Sequence, residues 1–206
     1  MNIFFDLDGT LWDSSSRLYD LFCFLTGNDI TLSKEEYWSL KRAKISNEEI
    51  LRDRYCYEEE RIKEFSSKWM GMIESPDYLV KDVLFPSTIS VLQQVFHKGY
   101  SIYYVTLRQF MDRVLVEISN KGIDGYCQKC LVSEAVITKE NLIKNSGVII
   151  SSEDIIVGDT GIDINTGKAL GIRTVAVLSG FRNREVLESY SPDWIINDIS
   201  ELLKYI

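Results

Sequence analysis

From residue 85 onward the chain alternates apolar, β-branched runs with amphipathic stretches, and that alternation admits few folds. Pro86 fits the first turn of a helix that Gly99 ends, and residues 100–105 then form an aromatic and β-branched strand running into Thr106. An amphipathic helix over 109–120 closes on Lys121-Gly122, and a short strand follows at Leu131-Val132. Next come a helix over 139–145, a buried strand over 154–157 ending on Gly158-Asp159, and a helix over 164–170 stopped by Gly171. Strands at 173–178 and 194–196 and a helix at 199–205 complete the pattern. With Ile3-Phe4-Phe5 as an opening strand, this predicts an α/β fold: a parallel sheet, helices on both faces, right-handed crossovers.

Residues 13–84 interrupt the alternation and read as helices only. Leu18, Leu21, Phe22 and Leu25 recur at helical spacing until Gly27-Asn28. Ser33 with Glu36, and Ser46 with Glu49, have the capping-box spacing, in which each side chain satisfies the other's orphan N–H. A helix over 58–72 puts Ile62, Phe65, Trp69 and Met72 on one face, and Ser75-Pro76-Asp77 ends it. The expected organisation is a core of 1–12 and 85–206 with a small α-helical domain, 13–84, inserted after the first strand. Residues 13–20 and 81–86 are the expected hinges.

The first strand stops on two carboxylates, Asp6 and Asp8, which an extended chain points to the same side. Gly9 permits a sharp turn and Thr10 can hydrogen-bond back into it. In a parallel sheet the C-terminal strand ends share one edge, so Thr106, Asp159 and Asp163 converge on this pair. Several carboxylates at one point repel unless a cation joins them, and such hard oxygen ligands suit Mg²⁺. Asp6, Asp8 (through its backbone carbonyl), Asp159 and Asp163 are the candidate ligands. Gly9, Thr106, Leu107 and Arg108, with Lys139 near a helix start, are the candidate phosphate-binding group, helped by helix N-termini. Positioning and charge neutralisation are most of what phosphoryl transfer needs. Asp6 would then be a nucleophile and Asp8 an acid and base. Each residue has a plainer reading: a turn with an incidental acid pair, Thr106 as a strand former, Lys144 in place of Lys139, Arg108 in an exposed ion pair.

The formal net charge of -8 argues against a general nucleic-acid or anionic-membrane surface. No run reaches the length of a membrane span, and the N-terminal run has no basic segment before it, so a cytoplasmic location is expected. Cys127 and Cys130 form a lone CxxC without a second metal-ligand pair, and reduced, partly buried thiols are expected. The single histidine, His97, sits at a helix end, which leaves no His-based triad. No feature specifies an oligomeric state.

Asp6-Leu7-Asp8-Gly9-Thr10-Leu11, Thr106, Lys139 and Gly158-Asp159-Thr160-Gly161-Ile162-Asp163 resemble the four signature motifs of the haloacid dehalogenase-like hydrolase superfamily. The helical insertion resembles its small helical cap. The closing pattern Val177-Leu178-Ser179-Gly180, Ser191-Pro192-Asp193 and 199–203 is similar to its phosphoglycolate phosphatase-like branch. The resemblance implies a Rossmann-like core and a Mg²⁺-dependent phosphatase of a small phosphorylated metabolite, with Asp6 as nucleophile and Asp8 as acid/base. Dehalogenating members lack the second aspartate, so Asp8 favours phosphoryl transfer. A phosphomutase or phosphotransferase, or a non-catalytic binding protein, are the alternatives. Two departures stand out: Glu140 follows Lys139 where branch members often have proline, and Ala43-Lys44-Ile45 replaces a glycine-bearing cap loop. If that loop faces the site, Arg42 and Lys44 are the candidates for contacting an anionic group of the substrate; the plainer reading is a solvated basic helix end.

Overall fold

The computed structural model describes residues 1–206 apart from the side chain of Asn28. The chain opens with β1 (Asn2–Phe5), turns through 6–11 and forms β2 (Trp12–Asp13). Helices α1 (Ser15–Thr26), α2 (Lys34–Arg42), α3 (Asn47–Glu49), α4 (Glu59–Met72) and α5 (Pro76–Leu79) follow, then β3 (Val83–Leu84). The remainder alternates: α6 (Thr88–His97), β4 (Ser101–Thr106), α7 (Met111–Asn120), β5 (Cys127–Val132), α8 (Lys139–Asn145), β6 (Ile155–Gly158), α9 (Gly161–Leu170), β7 (Arg173–Val177), α10 (Arg184–Glu188) and β8 (Trp194–Ile196). A 3₁₀ stretch, Ile199–Lys204, ends it where a helix was expected.

The chain divides into two compact units, Met1–Asp13 with Leu84–Ile206, and Ser14–Val83. In the first, six strands pair in the order β5-β4-β1-β6-β7-β8, every neighbour parallel. Side-chain alternation builds both faces. Ile3 and Phe5 point to one side with Ile102, Tyr104, Ile155 and Val157, and pack against Val91 and Val95 of α6 and Val114 and Ile118 of α7. Phe4, Val105 and Ile156 point to the other, where Ile143 of α8 covers them. Helices thus lie on both faces of a Rossmann-like α/β sheet.

After β1 the order runs outward through β4 and β5, then resumes on the opposite side of β1 with β6. That reversal leaves a crevice beyond the carboxyl ends of β4, β1 and β6, the place where open α/β sheets hold ligands. Two sequence expectations shift locally. β5 includes the whole CxxC, because Gln128 and Lys129 are tolerated on an exposed edge strand, with a register shift opposite Ile102 and Tyr103. Burial pushes the thiols of Cys127 and Cys130 up to about 11 and 12, so both are poor nucleophiles. α9 starts at Gly161 rather than 164, because Thr160 and Asp163 close its first turn.

In the second unit both capping boxes form, Ser33 with Glu36 and Ser46 with Glu49. Phe22 packs on Tyr37 (4.8 Å between centroids) and edge-on to Phe65 (5.8 Å). Buried Arg17 donates to Asp82 (3.0 Å) and to the Ile73 carbonyl (3.1 Å). Removing one partner of such a pair strands a charge away from water. Asp82→Ala should cost about 3–5 kcal/mol in urea denaturation, whereas Arg17→Met with Asp82→Leu should restore most of it. No described helix is long and apolar enough to cross a membrane.

Candidate active site

β1 carries Asp6 directly past its last paired residue, and the Asp6 N–H still bonds the Val157 carbonyl (2.9 Å). Its carboxylate is thereby fixed at the mouth of the crevice. Asp159 follows the last residue of β6, and Asp163 stands one turn into α9. Asp6, Asp159 and Asp163 are buried and each offers an oxygen within 4.8 Å of the others. Lys139, the first residue of α8 after its Thr138 cap, reaches into the group. Its ammonium donates to Asp6 and, at 2.6 Å, to Asp163, whose other oxygen accepts from the Thr160 N–H (3.1 Å) and hydroxyl (2.7 Å). Lys144 instead pairs with Glu140 near the surface.

Glycines make room for this packing. Gly9 has φ +81, and a Cβ there would lie 2.3 Å from Asp159 Oδ2. A Cβ on Gly180 would lie 2.0 Å from the same oxygen, to which the Phe181 N–H donates. Gly9→Ala should therefore both strain the turn by about 1–2 kcal/mol and push the Asp159 carboxylate aside. Thermal melting and catalytic turnover should fall together, the latter at least about tenfold, because ångström displacements of a reacting group are costly.

The electrostatics are unbalanced. Three buried carboxylates face one ammonium. Burial, opposed by Lys139 and reinforced by Asp163, raises the Asp6 carboxyl to about 7. Asp159 is raised well above the usual carboxylate range by burial and by repulsion from Asp6 and Asp163. Burial works against the Lys139 charge, but Asp163 and Asp6 outweigh it and hold the ammonium above its ordinary value. Asp159 Oδ1 is buried without a hydrogen-bond partner. An orphaned carboxylate oxygen beside two more acids is a donor set that fits a hard divalent cation.

The other anticipated residues divide. Thr106 ends β4, buried, its hydroxyl accepting the Arg108 N–H (3.3 Å), and Leu107 follows it, exposed. Asp8 stands apart from the carboxylate cluster: Arg108 grips it through Nε (2.8 Å) and Nη2 (2.6 Å), and the Trp12 indole N–H donates to it (3.2 Å). The exposed ion pair expected for Arg108 is thus corrected to a buried one, because Glu117 of α7 also holds its Nη1 (2.7 Å). Arg42 and Lys44 belong to the helical unit, at the end of α2 and just beyond it. Trp12, Glu117 and Phe181 were not singled out by their sequence. Glu117 nonetheless leaves a trace, an acid between Val114 and Ile118 on the apolar stripe of α7.

A parallel α/β sheet with acids and a lysine clustered at its switch point defines a doubly wound α/β core with a candidate ligand site. Residues 3–177 match the model of the haloacid dehalogenase-like hydrolase family, and the chain belongs to that family. It is 26% identical to a phosphoglycolate phosphatase of Aquifex aeolicus, over 98% of this chain and 94% of that one. It is 24% identical to the pyrophosphatase PpaX of Anoxybacillus flavithermus, over 99% and 95%. Its fold superposes on a haloacid dehalogenase-like hydrolase from Streptococcus pneumoniae with a TM-score of 0.80 at 23% identity, covering 99% of this chain and 97% of that one.

Proposed function

We propose that the chain is a Mg²⁺-dependent cytoplasmic phosphatase that hydrolyses a small phosphorylated metabolite through an acyl phosphate on Asp6. The observation that carries the reading is the buried Asp6–Asp159–Asp163 cluster with Lys139 at the switch-point crevice. Asp6, Asp159, Asp163 and the backbone carbonyl of Asp8 would hold Mg²⁺. When bound, the ion neutralises charge on the phosphate oxygens.

An Asp6 oxygen attacks phosphorus, the bond to the leaving oxygen breaks, and Asp8 gives that oxygen its proton. Water then attacks the same phosphorus and loses a proton to Asp8. The Asp6–phosphorus bond breaks, releasing inorganic phosphate and restoring both carboxyls. Lys139 orients Asp6 and offsets its charge. Thr106 and the N–H groups of Leu107 and Arg108 are the candidates for the phosphate oxygens, with the Gly9 turn beside them. Ser14–Val83 is the proposed cap, with Arg42 and Lys44 as candidate contacts for an anionic part of the substrate.

The names of the two curated relatives support a small phosphorylated substrate and set the panel. Phosphate release should be measured from phosphoglycolate, pyrophosphate and sugar phosphates with Mg²⁺ and with chelator. Release that needs Mg²⁺ is expected, and equal rates in chelator would overturn the metal assignment. Passage of the phosphoryl group to an added sugar instead of water would make the chain a phosphotransferase on the same site.

A further inference from the structure

Asp8 is held more firmly than a strand-end carboxylate requires. Its Oδ1 accepts from Arg108 Nη2 (2.6 Å) and Trp12 Nε1 (3.2 Å), and its Oδ2 accepts from Arg108 Nε (2.8 Å). Two parallel bonds from a planar guanidinium fix both the position and the plane of a carboxylate. The guanidinium is itself fixed. Its Nη1 donates to Glu117 (2.7 Å), whose other oxygen lies 3.3 Å from the Lys121 ammonium, one turn further along α7. Both cations lie near the indole of Trp12, the guanidinium carbon at 5.4 Å and the Lys121 nitrogen at 5.2 Å from its ring. Arg108 and Glu117 are buried, whereas the Asp8 side chain is 18% exposed.

Burying an ion pair gives little stability over apolar side chains of the same volume, so fold stability alone is a weak reason for it. Orientation is a better one. A carboxyl that must donate to a leaving oxygen and later accept from water works only within hydrogen-bond reach of one point. β1 ends at Phe5, so Asp8 lies beyond the strand.

We infer that Glu117, acting through Arg108, is a positioning residue for the Asp8 proton transfer, with Trp12 as the second restraint. The inference rests on the acid/base reading of Asp8 given above. A proton donor matters in proportion to the basicity of the leaving oxygen. Glycerol 2-phosphate expels an alkoxide that needs the proton, whereas p-nitrophenyl phosphate expels a stabilised phenolate that does not.

The test compares kcat/KM, which reports the first phosphoryl transfer, on these two probes for Glu117→Gln, Arg108→Lys and Asp8→Asn in the full chain with Mg²⁺. Glu117→Gln keeps the shape and an acceptor oxygen but removes the anionic anchor. Arg108→Lys keeps the charge and loses the fork. Both should lower kcat/KM for glycerol 2-phosphate by roughly 10- to 100-fold, and Glu117→Gln should change p-nitrophenyl phosphate by less than about threefold. The second probe, read on the same preparation, reports folded enzyme. Equal losses on both probes for Glu117→Gln, beside a selective loss in Asp8→Asn, would overturn the positioning role and leave the acid in place. A loss in Asp8→Asn that is the same on both probes would overturn the acid reading, and the inference with it.

Discussion

Asp6→Asn is expected to lower Mg²⁺-dependent phosphate release by at least about 10³-fold while leaving the chain folded. The amide has the shape of the carboxylate but no anionic oxygen to attack phosphorus, so the covalent route closes. Lys139 keeps its bond to Asp163, and the first turn of α9 keeps its closure through Thr160. The loss should therefore appear in turnover and not in melting. Wild-type protein quenched in acid during turnover of a labelled substrate should carry label on Asp6, and Asp6→Asn should carry none. Wild-type rates in the variant would remove Asp6 as nucleophile, even with the cluster geometry intact.

Much of this arrangement is legible before any coordinates, for identifiable reasons. Near-continuous apolar runs in β1, β4, β6 and β7 mark strands buried on both faces, and their shared parallel direction then brings Asp6, Thr106 and Asp159 to one edge. Capping boxes read well because both members lie three residues apart on one helix. What is hidden depends on side-chain reach across the fold. Lys139 and Lys144 are equivalent by composition, and only the entry of α8 decides which ammonium meets Asp6. Arg108 follows Thr106 by two residues and reads as a surface cation. It is buried because an acid nine positions further on, Glu117, lies on the inward stripe of α7. The Asp159 cradle is equally unreadable, since Gly9 and Gly180 are far apart in sequence and meet over a single oxygen.

The same cluster sets a second expectation, of opposite sign for stability and activity. Asp159→Asn should abolish Mg²⁺-dependent turnover, yet raise the melting temperature of the metal-free protein at neutral pH. Asp6 and Asp159 both titrate above their unfolded values in the fold. A carboxyl raised in this way stabilises the fold fully below its unfolded value near pH 4, and that contribution is lost as pH rises through the folded value, which for Asp6 is about 7. The metal-free wild type therefore loses stability from this site between about pH 4 and pH 7. Exposed carboxylates whose values are lowered, such as Glu49 and Glu59, run the other way, so the quantity to read is the difference between variant and wild type. That difference should be small near pH 4 and grow to roughly 5 °C in melting temperature by pH 8, about 1 kcal/mol corresponding to some 2–4 °C in a chain of this length. Millimolar Mg²⁺ should raise the wild-type melting temperature by mass action and leave Asp159→Asn unmoved. A variant that melts below the wild type at pH 8 in chelator would show the three acids to be compensated by the protein itself. The fit to a divalent cation would then lose its electrostatic basis.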